Sequence, residues 1–198
     1  MAIFYKYFGK LDIDYFDAPT FKLTPPNQLN DPFESLLPMD IKRIISELLE
    51  SETSAELRKK YSSTFIEESF SNLFEQFGIV SLSETQRNLL MWAHYANEHK
   101  GICIGFDSEK IFQNEIQPQK VNYSNVRCDE SDNLTEMKNL DQLLQFILKK
   151  VLHTKGDDWI YEKEFRYLVL LSEFKKIKIL NNEDKVADKL NYFAVKHP

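Results

Sequence analysis

Aromatic and polar positions alternate along residues 3–8 (IFYKYF), the period of two that marks a strand. A short extended piece follows at residues 21–23 (FKL), and Pro25 and Pro26 then break the chain into a loop. Asp31, Pro32 and Glu34 stand as N-cap, N1 and N3 of a capping box, with proline where its missing N–H costs nothing. Residues 39–77 carry apolar positions at helical spacing, first Ile41, Ile44, Ile45, Leu48 and Leu49, then Phe65, Ile66, Phe70, Leu73, Phe74 and Phe77 before Gly78. This stretch predicts a helical insertion packed at one side. Residues 79–84 (IVSLSE) read as the next strand, Val80 and Leu82 on one face, Ile79, Ser81 and Ser83 on the other. Ser83 and Gln86 repeat the capping-box pattern, predicting a helix from about Thr85 that ends at Gly101 as C′. Residues 102–106 (ICIGF) and 120–126 (KVNYSNV) predict strands, and residues 136–153 an amphipathic helix. Residues 159–173 begin in alternating charge and become a buried strand at LVLL; the tail beyond reads as a strand and a short helix. The sum is α+β, a mixed, mostly antiparallel sheet in one domain spanning residues 1–198.

Composition narrows this picture only slightly. The apolar fraction of 42% and charged fraction of 28% are those of a folded globular chain. A net charge of −6 offers no electrostatic footprint for nucleic acid. No run approaches the roughly eighteen apolar residues of a membrane span, and the N-terminus lacks the apolar core of a signal peptide. Cys103 in an apolar run and Cys128 in a polar loop do not make a disulfide framework. The expectation is a soluble cytoplasmic protein without a membrane partner, its oligomeric state open.

Three segments concentrate chemistry. On the predicted helix, Trp92, Tyr95 and His99 share a face, while His94 sits with Met91 and Glu98. His94 and His99 stand about 140° apart at 3.6 residues per turn, a poor spacing for one metal ion, and HExxH is absent. No metal site is therefore expected. Large aromatics at this spacing normally fill a core, and a histidine in a last turn complements the helix dipole. His94 and Tyr95, following the strand-borne Ser81 and Ser83, remain as cleft candidates. In YEKEFR, strand alternation puts Glu162, Glu164 and Arg166 on one face. An exposed edge carries such charges as cross-strand pairs; here the strand runs into LVLL, so its charged end lies near the core, where pKa values are tuned. In NDPFE, capping accounts for Asp31, Pro32 and Glu34 and leaves Asn30 and Phe33, with Asn30 placed to bond a ligand or an adjacent turn.

Taken in order, LNDPFE (29–34), SLSE (81–84), LMWAHYANEHKGICIGFD (90–107) and WIYEKEFR (159–166) resemble the bacterial domain-of-unknown-function family 2971, in register from Tyr5 to about Val169. Members commonly run further at the C-terminus, which implies a final strand or helix missing here. The order of the pieces is also similar to the ADP-ribosyltransferase superfamily: a first strand bearing Arg, His or Tyr, a middle strand bearing Ser, Thr or Tyr, and a late strand entered through Glu-x-Glu. That likeness implies NAD as a small-molecule substrate, with Tyr5 on the first strand. Glu164 would face the oxocarbenium-like charge, Glu162 orient the acceptor, Tyr95 stack nicotinamide, and Ser81 or Ser83 bond ribose or carboxamide. Two other readings stay open. One is a metal-independent hydrolase or nuclease with His94 as general acid or base and Arg166 holding phosphate. The other is a non-catalytic ligand- or partner-binding module of a defence or toxin system, in which His94, Glu162, Glu164 and Arg166 form a buried network.

Overall fold

A computed structural model describes residues 2–17, 19–31, 34, 43, 63–111, 117–126, 140–171, 177–180 and 192–196. Its strands are β1 (Ile3–Phe8), β2 (Thr20–Leu23), β3 (Phe77–Ser83), β4 (Ile102–Asp107), β5 (Gln119–Lys120), β6 (Asn122–Tyr123), β7 (Thr154–Lys155), β8 (Glu164–Leu170), β9 (Ile177–Leu180) and β10 (Tyr192–Lys196). Its α-helices are α1 (Ser63–Phe74), α2 (Leu89–Tyr95), α3 (Ser108–Ile111) and α4 (Leu140–Leu152). The main sheet has the order β4-β1-β3-β8-β5 and every pairing in it is antiparallel. A second antiparallel sheet runs β2-β10-β9, and β6 pairs parallel with β7. The chain is thus α+β and mostly antiparallel, as the periodicities predict.

The main sheet opens in its middle. β1 pairs with β4 along its whole length, and β3 pairs likewise with β8. Between β1 and β3 the register holds only at Tyr5 opposite Ser83. Further along, the edge of β3 is taken by Thr24, just past β2, through reciprocal backbone bonds with Ile79 of 2.9 and 2.8 Å. Between these two points the Ser81 carbonyl accepts from Lys6 Nζ at 2.7 Å. Buried backbone acceptors must be satisfied, and here a side chain stands in for a strand.

The alternation along β3 sorts its two faces as expected. Val80 and Leu82 join Phe4, Phe21, Leu23 and Val169 in one core cluster. On the other face, Ser81 lies opposite Arg166 and Ser83 opposite Glu164. A second cluster, Tyr7, Met91 and Ala96 with Trp92, Tyr95 and Tyr161 against it, fastens α2 to β1. Each buried side chain of this size stabilises the fold by about 1.5–3 kcal/mol.

Several local expectations are corrected. The helix foreseen over residues 85–101 is only Leu89–Tyr95, and its N-cap is Asn88, whose Oδ1 accepts from the Leu90 and Met91 N–H groups at 2.9 and 3.3 Å. Ser83 does not cap it, because its hydroxyl is buried and donates to the Glu162 carbonyl at 2.7 Å. Beyond Tyr95 the chain must reverse so that β4 can return along β1. Asn97, Glu98 and His99 make that reversal with φ of 45°, 52° and 69°, so His99 is in no last turn and Gly101 is not C′. Gly101 is required for closeness instead: a Cβ there would lie 2.1 Å from the Phe8 carbonyl oxygen. The strand foreseen at residues 120–126 breaks into β5 and β6, since the Val121 N–H turns to the Glu164 carbonyl and that of Asn122 to His153. The late strand starts only at Glu164; Asp157–Glu162 is a 3-10 turn and Lys163 is left-handed, with φ 46°.

Helix α1, with Phe70 and Phe74 buried, is the main described part of the predicted insertion, and Phe77, expected to end it, begins β3 instead. Most of residues 39–62, Pro32 and Phe33 of the first capping box, Cys128, residues 136–139 and residues 181–191 of the tail, which reads as a strand and a short helix, lie outside the described residues. Among the described residues no helix is long and apolar enough to cross a membrane.

Asn88 also donates from Nδ2 to the Tyr161 carbonyl at 2.6 Å, tying α2 to the 3-10 turn. Asn88→Ala removes cap and tether together and is expected to cost about 1–2 kcal/mol in urea unfolding. Asn88→Asp keeps the capping acceptor and should recover part of that loss; equal losses would show that the cap contributes nothing.

Candidate functional site

The charged end of β8 is where the sequence concentrates candidate chemistry, and it lies in the interior. Arg166 is 0% exposed, and Glu164, Glu162, Glu34 and Lys155 are buried around it. Strand alternation brings Glu164 and Arg166 to one face. Glu162 arrives by another route: the left-handed Lys163 turns the chain, and Glu162 approaches from the end of the 3-10 turn. Lys155 is delivered by β7, immediately after α4.

The Arg166 guanidinium grips Glu164 in two-pronged fashion, Nε to Oε1 and Nη2 to Oε2, both 2.9 Å. Nη2 also donates to Glu34 Oε1 at 2.7 Å, and Nη1 to the Leu152 carbonyl at 2.7 Å. Lys155 Nζ donates to Glu162 Oε2 at 2.6 Å and to Asn30 Oδ1 at 2.8 Å, and lies 3.5 Å from both Glu164 and Glu34. Its ammonium also sits 4.7 Å from the centroid of the Trp159 ring. Glu162 Oε1 accepts from Asn30 Nδ2 at 2.9 Å and from the Tyr95 hydroxyl, which in turn accepts from Asn30.

Burial and pairing pull these groups in opposite directions. Burial pushes the Glu164 carboxyl up, but the Arg166 guanidinium, with Lys155 and a hydrogen bond from Ser81, holds it down at about 2. For Glu34 burial prevails and its carboxyl is raised; its Oε2 has no hydrogen-bond partner among the described residues. Burial would lower Lys155, yet Glu164, Glu162 and Glu34 together raise it. Tyr95 is raised by burial and by the adjoining Glu162.

This network floors a cavity of ≈250 Å³ that lies along the gap between β1 and β3. Of the residues singled out from sequence, Tyr5, Asn30, Ser81, Ser83, Tyr95, Glu162 and Glu164 line it. Arg166 does not; it lies beneath the floor with no surface exposed. His94 is exposed, its ring centroid 5.9 Å from that of Tyr161 and 6.3 Å from that of Tyr95, and it does not line the cavity. The pair required by the hydrolytic reading is therefore not assembled around one space.

Lys155, Glu34, Lys6 and Lys22 complete the site without having been singled out as site residues. Glu34 was hidden by a capping pattern that explains it locally; in the fold its N–H does bond the Asp31 carbonyl at 3.1 Å, but its carboxylate turns inward to Arg166. Lys155 carries no signal beyond following an apolar run. Among the described residues, no group of three His, Cys, Asp or Glu side chains is arranged to hold a metal ion.

Residues 91–167, from Met91 in α2 to Tyr167 in β8, match the family model described as a protein of unknown function (DUF2971). No curated protein and no solved structure matches. The matched span contains Tyr95, Lys155, Glu162, Glu164 and Arg166, whereas Asn30, Glu34, Ser81 and Ser83 lie outside it.

Removing Arg166 strands two buried carboxylates. Arg166→Met should lower unfolding stability by about 3–5 kcal/mol, the usual consequence of leaving a buried charge unpaired. A loss below about 1 kcal/mol in urea titration would contradict so central a role. The pH dependence has a definite sign. The Glu164 carboxyl is depressed from 4.5 to about 2, so its stabilisation is present above pH 4.5 and is lost as pH falls towards 2. Glu164→Gln should flatten that acid limb when urea midpoints are measured between these values, whereas the raised Glu34 acts in the opposite sense.

Proposed function

We propose that the cavity beside the DUF2971 segment binds NAD through its nicotinamide–ribose portion and supports an ADP-ribosyltransferase-like cleavage of the bond between them. The observation that carries this reading is the convergence of Glu162, Glu164, Tyr95, Ser81 and Ser83 on one cavity. Its ≈250 Å³ is just below the range of about 300–1,000 Å³ usual for small-molecule sites, which suits half of a dinucleotide better than the whole.

In this reading each group has a physical task. Glu164 is anionic at any working pH and held rigid by Arg166, a fixed negative charge for the positive charge that develops at the ribose carbon. As nicotinamide leaves with the bonding electron pair, the hydroxyl of water or of an acceptor bonds to the ribose carbon and gives up its proton to solvent; Glu162 exchanges its Asn30 or Tyr95 partner to orient that hydroxyl. The Tyr95 ring offers a face to nicotinamide, and Ser81 and Ser83 supply short polar contacts.

One observation favours a second reading, a non-catalytic ligand-binding module. Both oxygens of Glu162 and both of Glu164 already hold protein donors, which describes a rigid platform as well as a reactive one.

Nicotinamide release from NAD separates the two, measured on the purified protein alone and with cell lysate supplying acceptors, alongside calorimetric NAD binding. Cleavage that falls by at least ~100-fold in folded Glu164→Gln or Glu162→Gln supports the transferase reading. Binding without cleavage supports the module. Neither binding nor cleavage overturns the choice of NAD.

A further inference from the structure

We infer that Lys6 and Lys22 form an anion subsite in this cavity, which takes a carboxylate or phosphate ester of a hydroxyl-bearing ligand. The inference rests on the cavity being a small-molecule site, and is independent of NAD and of turnover.

Lys6 is the unusual group. It reaches across the gap in the sheet to the Ser81 carbonyl, 2.7 Å away, and among the described residues it makes no other hydrogen bond and no ion pair. An ammonium has three donors, so two are left at the cavity. Covering an orphan carbonyl explains one of them, and a neutral donor would serve for that; it does not explain a cation. Burial is the largest influence on this amine and draws it down to about 8, against the pull of Glu164 and Glu162 and together with the repulsion of Lys22.

The commitments of the other cations point the same way. Lys155 and Arg166 are committed to the carboxylates at the floor. Lys6, by contrast, meets only a neutral carbonyl among the described residues, and Lys22 lines the cavity at its exposed rim. A ligand that presents hydroxyls to Glu162 and Asn30 and an anionic group to Lys6 satisfies both ends, which describes a sugar phosphate or a sugar acid.

Calorimetric titration with ribose, ribose 5-phosphate and ribonate tests this directly. In the wild type an anionic sugar should bind at least about tenfold more tightly than ribose, the worth of one charge-assisted contact. Whichever anion binds more tightly distinguishes the phosphate from the carboxylate. The gap should close in Lys6→Met, narrow in Lys22→Met and persist in Lys6→Arg. Should Lys6→Met fail to fold, Lys6→Gln retains a donor for Ser81 while removing the charge. Since an anion favours the protonated amine, affinity should be level below about pH 8 and fall by up to tenfold per pH unit above it. The subsite is overturned if ribose binds as tightly as its anionic forms, if the gap survives loss of the Lys6 charge, or if none of the three binds. An intact gap in a protein that neither binds NAD nor releases nicotinamide would reject the NAD reading alone.

Discussion

A guanidinium without access to water holds this fold's centre in place. Arg166 joins β8 to the end of α4 through the Leu152 carbonyl and to the Asp31–Glu34 turn through Glu34, while gripping Glu164 on its own strand. Burying ions costs several kcal/mol each, and the cost is offset only when every donor and acceptor finds a partner in good geometry. Arginine is suited to this because its planar fork meets carboxylates in pairs and cannot shed its proton. Lysine at this position would present a point charge and leave part of the arrangement unsatisfied.

From that centre the site follows almost by necessity. With Arg166 neutralising Glu164 and Glu34, Lys155 serves Glu162, and Asn30 and Tyr95 close the remaining positions around it. The network turns one side outward, onto the gap where β1 leaves β3. Sheets seldom leave an edge open inside a domain, because unpaired carbonyls and N–H groups are costly. Here Thr24 and Lys6 take up the exposed edge of β3, and the space between them is the cavity. Three lysines, Lys6, Lys22 and Lys155, line it together with Glu162 and Glu164.

Much of this was legible in sequence, though unevenly. Period-two patterns located β1, β3, β4 and β8, since a strand with one buried face must alternate. The same alternation put Ser81 with Ser83 on one face of β3 and Glu164 with Arg166 on one face of β8, and the register between the strands then brought the two pairs together. It did not reveal that Glu162 leaves the strand, because a left-handed Lys163 is no more visible in sequence than any other lysine. Capping patterns misled twice: Ser83 and Gln86 fit a helix start that Asn88 provides instead, and Glu34 fits a cap while serving Arg166. A short motif specifies what a residue is able to bond, and tertiary contacts choose among its options.

The amino-acid order alone determined the α+β class, the faces of the central strands and the concentration of acid, amide and hydroxyl groups at the ends of β3 and β8, because these depend on neighbours within a few residues. Only the tertiary structure decided that Arg166 lies under the site rather than in it, that His94 does not line the cavity, and that Lys155, Lys6 and Lys22 do. Those outcomes turn on which buried charges are close enough to pair. Lys155 and Asn30, 125 residues apart in the chain, meet at 2.8 Å, and no local pattern encodes a distance of that kind.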